Sequence, residues 1–249
     1  MARYSFSNIL EAFSITKSSV VSVVGCNGKT STMDAIALAH IEADEHNSAL
    51  VGTTTKVGAD QLPDDTQIFY SLKELKRAHA EGKLNRLGCL TGELYKGMLT
   101  DPGVDAYSEA MGYYDICVME ADGSRHKPLK AWREHDLPIH PQTTLTIGVL
   151  PIDIYGMHPT EENTHAFEKF CEVHGTVENV DAKLIYHMIT LPDQLFKNSP
   201  GKKLFYINKC DSDEKLEKAE QLIAELKNLG LDLDIVFGSI MNLEFYKFL

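Results

Sequence analysis

Residues 20–33, Val-Val-Ser-Val-Val-Gly-Cys-Asn-Gly-Lys-Thr-Ser-Thr-Met, set a glycine loop between a β-branched apolar run and a helical stretch. That order suits phosphate. Gly25 and Gly28 let the backbone turn tightly enough to aim several N–H groups at one anion, Lys29 adds a point charge, and Thr30 offers a hydroxyl to magnesium. The candidate nucleotide-binding loop is therefore Gly25, Cys26, Asn27, Gly28, Lys29, Thr30 and Ser31. Its spacing is two residues shorter than the usual G-x-x-x-x-G-K-[ST] loop, so nucleotide binding follows and the subclass stays open.

A phosphate loop needs an acid beside it. The strand Asp115-Ile-Cys-Val-Met delivers Glu120 and Asp122 at its carboxyl end, where one carboxylate can hold magnesium and a second can orient a nucleophile. Gly52-Thr53-Thr54-Thr55-Lys56 ends another strand, and Thr54 is a further candidate for the metal. Those threonines also fit ordinary β-branched strand filler. Asn208-Lys209-Cys210-Asp211 reads as the N-K-x-D motif of GTPases, in which the Asp211 carboxylate accepts from guanine's N–H edge, the Lys209 stem covers the ring and Asn208 braces the loop. Gly238-Ser239-Ile240 follows a later strand, where GTPases place a backbone contact to the base. The same Asn208 and Asp211 also fit a turn and N-cap for a helix beginning near Ser212.

These residues need a sheet to carry them. Apolar runs at 20–24, 48–52, 67–70, 86–90, 114–119, 144–150, 203–207 and 234–237 predict strands, and 29–41, 72–81, 104–112, 162–173 and 213–229 predict helices. The alternation predicts an α/β fold like that of P-loop NTPases, with a mainly parallel sheet and helices on both faces. One domain over 1–249 is expected, with an irregular functional segment at about 123–165 broken by Pro128, Pro138, Pro141, Pro151 and Pro159.

Composition narrows the partners. With 24 basic and 36 acidic residues the net charge is −12, which repels a phosphate backbone and speaks against nucleic acid. The five cysteines form no C-x-x-C pair and read as reduced thiols. His135, His140, His158, His165 and His174 lack metal-ligand spacing, so no zinc is assigned. Residues 1–10 carry no signal-type apolar core and no segment is long enough for a membrane span, so a soluble cytoplasmic protein is expected.

The loop is similar to the G-[TC]-N-G-K-T loops of Mur-type amide ligases. A more specific likeness runs over about 20–211: G-C-N-G-K-T-S, T-T-T-K, Leu-Thr-Gly-Glu-Leu-Tyr-Lys-Gly, Met-Glu-Ala-Asp-Gly-Ser-Arg-His-Lys-Pro-Leu-Lys at 119–130, and Glu-Asn-Thr-His-Ala-Phe-Glu-Lys-Phe at 162–170. In that order the chain resembles the YqeC family of selenium-dependent hydroxylase accessory proteins. The resemblance implies nucleotide handling during maturation of a molybdenum hydroxylase, with that enzyme or its cofactor as partner. It also marks Ser124, Arg125, Lys127 and Lys130 as candidates for a second anion. Two departures stand out: Cys26-Asn27 replace the family's usual small residues, and Ala166 follows His165 where an arginine is common.

Taken together, Lys29, Glu120, Asp122 and Arg125 are the candidate catalytic residues, and Thr30, Thr54, Glu120 and Asp122 the candidate magnesium ligands. ATP or GTP is the expected nucleotide, with slow hydrolysis the expected reaction. A ligase or small-molecule kinase that activates an acid near Arg125, or a nucleotide-gated carrier without turnover, fits the same residues.

Overall fold

Val21, Val23 and Val24 put apolar side chains on both faces of the strand Val20–Gly25, so both faces must be covered. The computed structural model, which describes residues 3–248, places this strand inside a ten-stranded sheet. In spatial order the strands are Arg3–Ser5, Glu244–Phe248, Asp234–Ser239, Lys202–Asn208, Leu145–Pro151, Val20–Gly25, Ile116–Glu120, Ala49–Thr53, Leu87–Leu90 and Gln67–Phe69. The last eight run parallel. They are the eight strands that the apolar runs predict.

Side chains alternate between two cores. Val21 and Val23 pack with Met33 and Ile36 of the helix Lys29–Ala43, whereas Val24 joins the core built by the helices Ala182–Thr190 and Asp213–Asn228. Leu75 and Tyr107, from the helices Leu72–Ala80 and Val104–Ala110, cover Leu50 and Met119. The fold is α/β with helices on both faces. Among the described residues no helix is long and apolar enough to cross a membrane.

Several elements differ from expectation. The helix predicted over 162–173 begins only at Phe167, because Thr164–His165 instead pair in parallel with Leu129–Lys130. The segment 123–165 is thus less irregular than its prolines suggest, and it contains the strand Leu145–Pro151. The helix Ala182–Thr190 is an addition. Its signals were present: Asp181 accepts from the Leu184 amide at 2.8 Å as N-cap, and positions 182, 184, 185, 188 and 189 are buried. Lys56–Gly58, Leu94–Tyr95 and Met98–Thr100 form a small antiparallel sheet, too short to register as apolar runs.

Candidate functional site

The glycine loop leaves the carboxyl end of a strand whose neighbours are Leu145–Pro151 and Ile116–Glu120. Two close approaches require its glycines. Gly25 has φ +101°, and a Cβ there would lie 2.1 Å from the Val149 carbonyl oxygen; Gly28 has φ +115°, and its Cβ would lie 2.1 Å from Asn208 Nδ2. Gly28 gives the following helix no side-chain cap, and the first helical amide to find a carbonyl is that of Thr32, at 2.8 Å from Gly28 O. The N–H groups of Asn27, Gly28, Lys29, Thr30 and Ser31 therefore have no acceptor among the described residues. Cys26 is turned the other way. Its amide donates to Val149 O at 2.9 Å, and its thiol lies in the core, where burial pushes it up to about 12.

The two acids at the end of Ile116–Glu120 part company. Glu120 accepts from the Thr30 hydroxyl at 2.5 Å and lies 3.5 Å from Lys29 Nζ, which also reaches Ser124 Oγ at 3.4 Å. The Glu120 carbonyl is fastened by Thr53 Oγ1 at 2.9 Å and the Thr54 amide at 3.1 Å, so the threonine edge positions this acid. Asp122 has both oxygens taken. One accepts from the Gly25 amide at 3.0 Å and from Trp132 Nε1 at 2.9 Å, and the other meets the Lys130 ammonium. Asp122 is 1% exposed, and its bonds to the Gly25 amide, Trp132 and Lys130 make it a support of the loop. Of the two acids expected to hold magnesium, Glu120 is the one that faces the Thr30 hydroxyl and Lys29.

Lys130, expected to meet a second anion, is likewise turned inward. It is fully buried, bonds the Gly123 carbonyl at 2.7 Å and lies 3.1 Å from Asp136, so it neutralises two internal carboxylates and cannot meet a second anion. Lys127 is also engaged, through the carbonyls of Glu161 and Thr164. Arg125 keeps its guanidinium in the cleft, which holds about 810 Å³ and runs from Lys29 and Thr30 to Arg125, Arg133 and His165.

Asp34 was not expected. It sits one helical turn beyond Thr30, and burial, reinforced by the Glu120 charge, pushes its carboxyl up to about 7. Asp34 Oδ1 and Thr54 Oγ1 are buried without a hydrogen-bond partner. The Glu120 charge acts on Asp34, and the Thr54 amide donates to the Glu120 carbonyl, so both residues are neighbours of that acid. Only the i, i+4 step from Thr30 could have pointed to Asp34.

On the other flank Asn208 braces the loop. Its Oδ1 accepts from Tyr206 OH at 3.0 Å and its Nδ2 donates to Asn27 O at 3.5 Å. Asp211 accepts from Ser239 Oγ at 2.6 Å, and the Cys210 amide donates to Gly238 O at 3.0 Å, so the two segments that suggest guanine reading are in contact. Lys209 occupies left-handed backbone, φ 63°. The helix Asp213–Asn228 is capped by Ser212, which accepts from the Lys215 amide at 3.3 Å. Asn208 and Asp211 are not its cap.

The sequence model of the family described as "YqeC protein" matches residues 21–168, more than half of the chain. An Escherichia coli (strain K12) protein named "Uncharacterized protein YqeC" is 28% identical over 117 residues, which is 45% of this chain and 46% of that protein. The matched region spans less than half the length of that relative.

Proposed function

This chain belongs to the YqeC family, and from that premise we propose that its cleft binds a magnesium nucleoside triphosphate and hydrolyses it slowly, as an accessory step in maturation of selenium-dependent molybdenum hydroxylases. One observation carries the nucleotide reading: five consecutive amides, Asn27 to Ser31, have no acceptor and open onto a helix N-terminus beside Lys29. In this reading the amides and Lys29 hold the β and γ phosphates, and Thr30 with Glu120 holds magnesium. Among the described residues no three His, Cys, Asp or Glu side chains cluster as a metal cage, so phosphate oxygens and water complete the shell. Bound magnesium draws charge from the phosphate oxygens. The maturation role is supported by the family alone.

Calorimetry with ATP, ADP, GTP and GDP, each with and without magnesium, tests the reading. Magnesium-dependent triphosphate binding is expected. No binding of any of the four would end it. Product analysis then separates hydrolysis, which gives free phosphate alone, from the ligase or kinase alternative, which gives a new phosphorylated or ligated compound.

The N-K-x-D spacing of Asn208-Lys209-Cys210-Asp211, with Asp211 held beside Ser239, supports GTP over ATP. A carboxylate accepts two donors, whereas an amide turns a donor toward guanine's N–H edge. Asp211→Asn is expected to lower GTP affinity roughly tenfold or more, a charged hydrogen bond being worth about 1.5–3 kcal/mol, and to leave ATP affinity unchanged. A wild-type preference for ATP would rule out guanine reading.

A further inference from the structure

The wall at the Arg125 end of the cleft also bounds a second hollow of about 440 Å³, and Arg125, Arg133 and His165 line both. Neither guanidinium makes a hydrogen bond or ion pair among the described residues; Arg133 is tied only through its backbone, to Asp136 and Lys197. This is uncommon economy in a chain of net charge −12, in which the neighbouring Lys130 is fully matched by Asp122 and Asp136. The field of the two arginines is felt at His165. Its imidazole is pushed down to about 4, by burial first and then by Lys130, Arg125 and Arg133. Arg125 and His126 also hold consecutive left-handed backbone, φ 50° and 61°, a conformation that persists in L-residues where the surroundings impose it.

We propose that Arg125, Arg133 and His165 form a second anion site, separate from the glycine loop, which takes the phosphate group of a small phosphorylated compound. Two guanidinium groups and an imidazole line one hollow, and together they offer more donors and charge than a single carboxylate can match, which suits a phosphate group with its several oxygens. The adjoining hollow gives the rest of the compound room. Glu161, Glu168 and Glu172 line that hollow together with Lys127, Lys169 and Thr164, a mixed polar wall that suits a body carrying hydroxyl or amino groups. The site deepens the proposed function only in supplying a companion ligand for the nucleotide; its own binding does not need the loop.

The test titrates inorganic phosphate into the full chain, into Lys29→Ala and into the double variant Arg125→Gln/Arg133→Gln, following His165 by NMR. Both arginines are exposed, so the double variant should fold, and its thermal transition checks this. Wild type and Lys29→Ala are expected to bind phosphate alike and to show a raised His165 midpoint on binding. The double variant is expected to bind at least tenfold more weakly. Loss of phosphate binding in Lys29→Ala with retention in the double variant would place the anion on the loop and overturn the second site, as would failure of wild type to bind. Magnesium nucleotide titrated into the same three proteins reports on the loop separately, so the two readings can fail independently.

Discussion

Lys130→Ala is expected to lower folding stability by about 3–5 kcal/mol, the cost of breaking a buried ion pair from one side. Lys130 is fully buried, and Asp122 and Asp136 both depend on it. Without the ammonium, Asp122 keeps only the Gly25 and Trp132 N–H groups, and burial already holds its carboxyl above the usual range. A carboxyl whose folded value lies above its unfolded value costs stability at higher pH and none once protonated in both states. The deficit should therefore shrink as the solution is acidified. Urea unfolding at acidic and neutral pH measures it, and Lys130→Met/Asp122→Asn should recover part of the loss. A deficit below about 1 kcal/mol at neutral pH would mean that water, not Lys130, compensates these acids.

Lys29→Ala should act on binding rather than on folding. Thr30 still donates to Glu120 in the variant, so that acid keeps a partner. The charge-assisted contact to phosphate is worth about 1.5–3 kcal/mol. At about 1.4 kcal/mol per tenfold, triphosphate affinity should fall roughly 10- to 150-fold. The measurement is calorimetry with magnesium on a variant whose thermal transition matches wild type. Unchanged affinity would sink the assignment of the loop.

Depth in the fold decided what could be read beforehand. The eight parallel strands were legible because their side chains are buried on both faces, which forces continuous apolar runs such as Leu145–Pro151. Arg3–Ser5 and Glu244–Phe248 were not: the first is a three-residue edge strand, and the second, although paired on both sides, fully buries only Phe245 and carries Glu244 and Lys247. At the site, Gly25, Gly28, Lys29 and Thr30 were visible because a tight turn beside a helix start restricts residue type. Asn208 was visible for its spacing. Lys130 and Arg125 look alike in sequence, as two cations on one short string. Only folding sends Lys130 inward to Asp122 and leaves Arg125 in the cleft. Arg133 carries no local motif, so three-dimensional proximity alone marks it, and Asp34 has only its i, i+4 step from Thr30.

The strand that ends in the glycine loop is flanked by Ile116–Glu120 and Leu145–Pro151, segments from much later in the chain. On the ribosome, Val20–Gly25 is made early and waits without either neighbour while its valines and the open N–H row face solvent or a chaperone. The last tether, Asn208 against Asn27, arrives later still. Loop closure over such separations must come before the contacts that reward it, which makes parallel sheets slow and exposed to aggregation. A nascent chain stopped before Leu145 has the contacts to Glu120 and Asp122 but lacks the Val149 and Asn208 contacts that close the loop's other flank. The cleft can therefore be complete only after residues 145–208 have joined the sheet.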